Sequence, residues 1–211
     1  EREGGDIDVA PDVDVGGVDG GADRVDGVED DANADDAEIE ADVDAGDGEL
    51  LPCEGGWYDP SSGLCWQDPI EREGFHWQEA VLYCSRLSLA GHGAGSWRLP
   101  TVDELRSLIR GCPATESGGD CPVVDGCRFP SCTDPSCDGC PRHGGPGDGG
   151  MYWPAELSVI DGTFSWHWSS SEAYSEAELP GAWYVLFALG VVGSGTGIVY
   201  GLSVRCVRPG P

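Results

Sequence analysis

The chain lacks lysine altogether and contains a single asparagine, Asn33. All 11 basic residues are arginines, and they face 39 acidic residues, which gives a formal net charge of −28. A surface this acidic repels phosphate, so we expect no nucleic-acid partner. Long apolar runs are also missing. Because a membrane-spanning helix requires roughly 18 consecutive apolar residues, we expect no transmembrane segment in this chain.

Residues 1–50 lack Trp, Tyr, Phe and Cys, and they hold 20 Asp and Glu residues against 2 Arg. A segment of this composition cannot bury enough apolar surface to offset the entropy of ordering its backbone. We therefore predict a disordered acidic Asp/Gly-rich spacer over residues 1–50 and one domain over residues 51–211. Asp12 and Asp14 resemble the start of a calcium-binding EF-hand loop, but Gly16 replaces the fifth-position ligand and the closing Glu is missing. The pattern favours a spacer and leaves calcium binding by the tail open.

The domain holds all ten cysteines. Their scatter indicates a disulfide framework and hence an oxidising compartment. Cys53 and Cys65 flank a turn at residues 59–63, which predicts a local disulfide. The other clear group lies in a Gly-, Pro- and Ser-rich segment over residues 111–150. We expect its six cysteines to pair among themselves, in a connectivity that the sequence leaves open: Cys112, Cys121, Cys127, Cys132, Cys137 and Cys140.

A first helix is predicted within "HWQEAVLYCSRLSLAG" (residues 76–91), with Gly91 as its stop. One helical face carries its apolar residues: Trp77, Ala80, Val81, Cys84 and Leu87. Cys84 therefore points into the core, and its partner should be distant in sequence.

The stretch "SWRLPTVDELRSLI" (residues 96–109) predicts a second helix with Thr101 as the N-cap and Glu104 completing a capping box. Arg110 would occupy its last turn, with Gly111 as the terminator. Pro100 favours an extended conformation at Leu99. We interpret the stretch as a structural brace and not as the mouth of an active site.

Three strand candidates follow, rich in Trp, Tyr, Val and Ile. They are "FSWHWSSS" (164–171), "AWYVLFALGVV" (182–192) and "GIVYGLSVRCVR" (197–208), with a turn at 193–197 between the last two. Helices followed by antiparallel strands indicate an α+β fold.

These motifs resemble the DUF1566 family, also called the Lcl C-terminal domain, over roughly residues 53–208. The resemblance is carried by "WRLPT-x-x-E-L", "WHWSSSEAY" and the closing "VRCVR". It implies a C-type-lectin-like domain with two helices, antiparallel strands and a long disulfide-rich loop region, and it implies that Cys84 pairs with Cys206. Residues 111–150 are an insertion that the family pattern does not map. Related proteins are secreted or surface-displayed in bacteria, and some are adhesive.

An enzymatic alternative comes from a more distant similarity to the formylglycine-generating enzyme and its iron-dependent relatives. The first requires a redox-active cysteine pair near the C-terminus, whereas the last strands offer only Cys206. The relatives require clustered histidines, and the four histidines here lack metal-ligand spacing: His76, His92, His143 and His167. We therefore expect no catalytic residues and no cofactor.

Two kinds of metal site, a zinc knuckle and a calcium-dependent sugar site, are disfavoured by the sequence. Cys137 and Cys140, followed by His143, have the spacing of a zinc knuckle, but the even cysteine count and the oxidising context favour disulfides. Calcium-dependent sugar binding is disfavoured, because the domain has no Asn and lacks Glu-Pro-Asn, Gln-Pro-Asp and Trp-Asn-Asp triplets. We expect no metal site in the domain.

Aromatic residues around the insertion are the candidate ligand-binding residues: Trp153, Trp166, Trp168 and Tyr174. Aromatic rings stack on sugars or anchor protein contacts, so the ligand would be a glycan or a protein at the cell surface. The competing interpretation places these rings in the core.

The function expected from the sequence is a non-catalytic binding or adhesion module, secreted from or displayed on a bacterial cell. The alternatives are a structural envelope component without a specific ligand and an oxidoreductase of the formylglycine-generating type. Because the chain begins with Glu1, we expect a processed form, whose anchor, such as a lipid on the outer membrane, lies outside this sequence.

Overall fold

A computed structural model describes residues 53–70, 74–158, 165–175, 177–196 and 201–211. They belong to the second of the two units into which the chain divides, Asp47–Pro211. The predicted acidic spacer and its calcium alternative lie outside the described residues.

The described residues have an α+β architecture with two α-helices and two three-stranded antiparallel sheets. In chain order the elements are β1 (Gly56–Asp59), β2 (Leu64–Gln67), α1 (Trp77–Arg86), α2 (Val102–Ser107), β3 (Trp166–Tyr174), β4 (Pro180–Leu186), β5 (Val191–Thr196) and β6 (Val207–Pro209). The sheets run in the orders β1-β2-β6 and β3-β4-β5. No helix in this described part is long and apolar enough to cross a membrane.

The first hairpin forms where the sequence predicts it. The Asp59 carboxylate accepts hydrogen bonds from the Ser61 amide at 3.0 Å and from the Ser62 hydroxyl at 2.7 Å, which fixes the turn between β1 and β2. Cys53 and Cys65 are disulfide-bonded across it. The hairpin therefore closes on itself before β6 joins β2.

Helix α1 presents a narrower apolar stripe than its sequence suggests. Ala80 and Cys84 are buried, and Cys84 is disulfide-bonded to Cys206. Val81, expected on the buried face, is 39% exposed because it lies one residue, or about 100°, around the helix from Ala80. The helix also ends at Arg86, well before Gly91, which instead lies in a tight turn where Leu89 and His92 exchange backbone hydrogen bonds.

The Trp-Arg-Leu-Pro stretch is an extended segment that leads into α2. Trp97 and Leu99 are buried, and Arg98 exchanges backbone hydrogen bonds with Val207 of β6 at 2.8 and 2.9 Å. Thr101 is the N-cap: its hydroxyl accepts from the Glu104 amide at 3.2 Å, and the Glu104 carboxylate accepts from the Thr101 amide at 2.8 Å. The predicted capping box is confirmed.

Helix α2 ends at Ser107, so the prediction that Arg110 lies in its last turn is wrong. The chain leaves the helix there and buries Leu108 and Ile109 in the core. The Arg110 guanidinium donates back to the carbonyls of Ser107 and Ile109. A side chain thus satisfies the carbonyl of the last helical residue, Ser107.

The insertion at 111–150 is held by two disulfides, Cys112–Cys140 and Cys121–Cys137. The expectation that all six of its cysteines pair among themselves holds for these four only, because Cys127 and Cys132 are free thiols in the structure. The pairing also removes the zinc-knuckle alternative, since the sulfurs of Cys137 and Cys140 are both consumed in disulfides.

The predicted strand 182–192 is broken by a turn at residues 187–190, which joins β4 to β5. The turn predicted at 193–197, before the third strand candidate, is also wrong, because residues 193–196 belong to β5. Gly193 sits inside β5 opposite Tyr184, where an added Cβ would approach the Tyr184 hydroxyl to 2.7 Å. The glycine thus serves close packing in a strand. Of the third strand candidate, residues 197–200 lie outside the described residues, and the rest supplies two isolated bridges and β6.

Candidate functional site

Two of the four aromatic candidates are core residues. Trp153 is buried, with the Arg205 guanidinium 5.4 Å above its ring. Trp168 is buried too, and its indole N–H donates to the Phe75 carbonyl at 2.9 Å. Neither ring faces solvent, so the structure removes Trp153 and Trp168 from a surface binding site.

The other two candidates lie at opposite ends of β3. Trp166 is 36% exposed, and its ring lies 5.0 Å from that of Tyr184. Tyr174 is half-buried at the far end of the strand. Their partners on β4, Leu186 and Pro180, are six residues apart, so the two positions lie roughly 20 Å apart along the sheet and do not form one site. Only Tyr174 adjoins the insertion.

A polar depression of about 300 Å³ lies where the insertion meets β3. We call it the insertion-edge site, and it is lined by Thr101, Asp125, Arg128, Ser170, Ser171 and Glu172. Three separate segments contribute: the start of α2, the insertion and the middle of β3. The site therefore exists only in the folded domain.

A bulge in β3 explains how the serine run reaches this depression. Trp168 pairs with Tyr184 and Glu172 with Ala182, so four residues of β3 advance against two of β4. The surplus residues leave the normal alternation of side chains, as bulges do near functional sites. The Ser170 amide instead donates to the Pro100 carbonyl at 2.7 Å, which ties the strand to the extended Trp-Arg-Leu-Pro segment.

Asp125 is positioned by a short chain of hydrogen bonds. The Val102 amide, at the start of α2, donates to the Ser171 hydroxyl at 2.8 Å, and this hydroxyl donates to the Asp125 carboxylate at 2.5 Å. The Asp125 amide donates to the Asp103 carboxylate at 3.1 Å. One carboxylate oxygen of Asp125 is thereby fixed, while the residue remains exposed.

Arg128 and Glu172 form an ion pair across the site. The Tyr174 hydroxyl donates to the same Glu172 oxygen at 3.2 Å, and the Tyr174 amide donates to the Arg128 carbonyl at 2.7 Å. Both charged side chains are about half exposed, so the pair itself adds little stability. Its guanidinium and carboxylate are instead available to donate to and accept from a ligand.

An aromatic edge borders the polar site. Phe129 is 49% exposed, and its ring centroid lies 6.2 Å from that of Tyr174. About half of the Phe129 side chain therefore stays open to a ligand, and an aromatic face beside polar groups can anchor a contact. Carboxylates, a guanidinium, hydroxyls and an aromatic face thus lie side by side.

Two larger depressions have less suitable linings. One of about 640 Å³ runs along α1 and is lined mostly by apolar side chains. Another of about 600 Å³ lies beside the first hairpin, where Asp59 and Arg110 already bond their own neighbours. The insertion-edge site differs from both in having an almost wholly polar lining, to which three separate segments of the chain contribute.

His167 is fully buried and serves the core. Its Nδ1 lies 3.3 Å from the Ser165 carbonyl. Burial, and secondly the charge of Arg205, lower the pKa of His167 to about 3 against the opposing effect of the Ser165 carbonyl. Arg205 in turn donates to the Asp68 carboxylate at 3.0 Å. Among the described residues, no group of three or more His, Cys, Asp or Glu side chains is arranged to hold a metal ion.

Sequence reasoning missed Asp125, Arg128 and Phe129, because they lie among cysteines and turn residues that suggested only a cross-linked loop. The signals that could have found them are the run of three serines in a strand and the exposed aromatic in a polar segment. Cys206, which the enzymatic alternative would need as a thiol, is bonded to Cys84.

Residues 55–208 match the family model of the Lcl C-terminal domain. The matched range begins just before β1, includes the whole insertion and ends within β6. No curated protein and no solved structure shows a match to the chain.

Proposed function

Because the chain belongs to the Lcl C-terminal domain family, we propose that it is a non-catalytic module with a C-type-lectin-like fold that binds glycans outside the cytoplasm. The four disulfides support the compartment, since such bonds persist in oxidising environments. Secretion or display on a bacterial surface, with residues 1–50 as a spacer, is part of the same proposal.

The observation that carries the proposal is the insertion-edge site with its aromatic border. Sugar hydroxyls both donate and accept hydrogen bonds, so they match a site that presents carboxylates and a guanidinium together. The apolar face of a sugar ring can pack on Phe129, which is already exposed. Asp125 and Glu172 are held in place by Ser171 and Tyr174, which reduces the entropy lost on binding.

The arrangement favours binding over catalysis. The Ser171 hydroxyl is buried and already bonds the Val102 amide and Asp125, so it is poorly placed as a nucleophile. The Glu172 carboxylate already accepts from Arg128 and from the Tyr174 hydroxyl. We expect the site to hold a ligand and to leave it chemically unchanged.

The first experiment screens the purified full chain on a glycan array, with and without a calcium chelator. We expect binding to a restricted set of glycans that the chelator does not change, because no side chain of the site requires a metal. Binding that vanishes with the chelator would contradict the calcium-independent mechanism.

Variants then locate the binding surface. We expect Arg128→Ala, Glu172→Gln and Phe129→Ala each to weaken binding about tenfold, the effect of losing one central contact. Arg86→Ala and Leu179→Ala are matched controls, because both residues are exposed and lie outside the site. Equal losses in the control variants would place the surface elsewhere.

The competing function is a structural envelope component that recognises nothing specific. It predicts no binding on the array and none to extracts of the cell envelope. A protein ligand would instead give binding to the extract alone, sensitive to the same three substitutions.

A further inference from the structure

Two thiols remain in the insertion after its other cysteines have paired. Cys127 and Cys132 are both half-exposed, whereas Cys84 and Cys206 are fully buried. Solvent-accessible cysteines in an otherwise disulfide-bonded segment are open to exchange with external disulfides.

The backbone brings these two thiols together. The Cys127 amide donates to the Val124 carbonyl at 2.8 Å, and the Cys132 amide donates to the Phe129 carbonyl at 3.0 Å, so the chain turns before each cysteine. The indole N–H of buried Trp183 donates to the Cys127 carbonyl at 2.7 Å and anchors one end. The Cys127 thiol donates to the Pro122 carbonyl at 3.7 Å, and the Cys132 side chain lies within hydrogen-bonding reach of the same thiol.

We propose that Cys127 and Cys132 are a redox-active pair, converted between dithiol and disulfide by exchange with a low-molecular-weight disulfide, and that the bond controls the mobility of residues 128–131. In the first step one thiolate attacks the external disulfide, forms a mixed disulfide and releases one external thiol. In the second step the other thiolate attacks the mixed disulfide, forms the Cys127–Cys132 bond and releases the second external thiol. The protein loses two electrons and two protons, and the external disulfide gains them.

The environment of Cys127 bears on the order of the two attacks. Burial, and secondly the hydrogen bond with Cys132, raise the pKa of the Cys127 thiol and so reduce its thiolate fraction, which makes it a slow attacking group on an external disulfide and suits it to the second, intramolecular step. The bond would close a ring with a sequence separation far shorter than the 122 residues of Cys84–Cys206. Because it closes the shortest loop of the five bonds, it would stabilise the fold least. Because it is exposed, it would also be the first to be reduced.

Between the two cysteines in sequence lie Arg128, which lines the insertion-edge site, and Phe129, which borders it. The redox chemistry stands whether or not that site binds glycans, and only an effect on binding would rest on the proposed function.

The test uses the full chain equilibrated in buffers with increasing ratios of oxidised to reduced glutathione. Free thiols are blocked with light N-ethylmaleimide, and the protein is then denatured, reduced and labelled with the heavy reagent. Fragment masses report each cysteine separately. We expect Cys127 and Cys132 to convert together from light to heavy, while the other eight cysteines stay heavy throughout. The proposal is overturned if both remain light in oxidised glutathione, or if one converts alone.

Single variants check the two-step chemistry. In Cys132→Ser, Cys127 should stop at the mixed disulfide and gain one glutathione, and Cys127→Ser should do the same at Cys132. Recovery of unmodified protein in both variants would also overturn the proposal.

The effect of the bond on the mobility of residues 128–131 is measured by trypsin cleavage of the native protein after Arg128. Arg142 is an internal control, because it is exposed and lies outside the pair. We expect closure of the bond to slow cleavage after Arg128 several-fold and to leave cleavage after Arg142 unchanged. Equal rates of cleavage after Arg128 in both redox states would refute the proposal that the bond restricts residues 128–131.

Discussion

The insertion and the second sheet are held together by different means. The sheet buries large side chains, among them Trp168, Trp183 and Leu186, so its stability comes from apolar area removed from water. The buried side chains of the insertion are mostly cysteines, with Val123 as the main exception. The contrast shows what orders a segment with too few apolar residues for a core of its own.

Main-chain polar groups show the difference most clearly. Strands β3, β4 and β5 hydrogen-bond to one another through their main-chain N–H and C=O groups, whereas the insertion lacks strands over the residues that the structure describes. One buried guanidinium replaces a strand partner: Arg106 of α2 donates to the carbonyls of Thr115 and Glu116 at 3.0 Å and to that of Val123. Buried carbonyls require such partners, so Arg106 is as important to the insertion as its disulfides.

The largest effect should follow removal of the disulfide that links α1 to the residue just before β6. Cys84 and Cys206 are 122 residues apart, and the Cys84→Ala, Cys206→Ala double variant should lose about 5 kcal/mol of unfolding free energy on a chain-entropy model. The Cys121→Ala, Cys137→Ala variant opens a separation of 16 residues and should lose about 3 kcal/mol. Urea unfolding of both variants measures the difference. Equal losses would show that loop length does not rank these bonds.

Removal of the buried guanidinium should affect the insertion selectively. Arg106→Ala leaves three carbonyls without their donor, and we expect local opening of the insertion to become easier by about 3 kcal/mol. Hydrogen exchange should accelerate at residues 112–123, while amides of β3–β5 keep their protection. Arg86→Ala, on the exposed face of α1, should change neither region. Accelerated exchange throughout the sheet would contradict the separation of the two regions.

The parts of the fold that could be predicted are those set by local chemistry. The start of α2 follows from Thr101 and Glu104, because a capping box is satisfied within four residues. The first hairpin disulfide follows from the turn at Asp59 in the same way. The family membership followed from short motifs of this kind.

The parts that could not be predicted depend on distant partners. Gly193 is of a residue type typical of turns, but it lies in a strand, where the Tyr184 ring packs against it and leaves no room for a side chain. Helix α2 ends at Ser107, where the Arg106 guanidinium donates to carbonyls of the insertion and that of Arg110 donates back to the Ser107 carbonyl. The insertion-edge site was missed for the same reason: it joins residue 101, residues 125–128 and residues 170–172, and no local pattern links these segments.

The second sheet also buries a titratable group, His167 of β3, which gives the stability of the fold a pH dependence. The pKa of His167 falls from 6.5 to about 3 on folding, so the unfolded chain takes up a proton below pH 6.5 that the folded chain refuses. The stabilisation by neutral His167 is therefore complete above pH 6.5 and is lost as the pH falls towards 3. Between pH 6.5 and 5 the loss should be about 2 kcal/mol.

Urea unfolding of the wild type and of His167→Gln at several pH values isolates this contribution. The variant should be less stable at pH 7 and should show a shallower slope between pH 6.5 and 5. Glu104 does not interfere in that window. Burial favours a higher pKa for Glu104, but hydrogen bonds from Arg98 and Thr101 outweigh it and hold the pKa below 4.5. Identical slopes would show that His167 becomes protonated in the folded protein.

The smallest effect is expected at Thr101, where the extended segment, α2 and the insertion-edge site meet. Thr101→Ala removes the acceptor for the Glu104 amide and should lower the unfolding free energy by about 1 kcal/mol. Thr101→Ser keeps that acceptor and should unfold like the wild type. Because the Glu104 carboxylate still accepts from the residue 101 amide in both variants, their difference isolates the side-chain bond. A Ser variant as unstable as the Ala variant would mean that the threonine methyl, and not its hydroxyl, stabilises this junction.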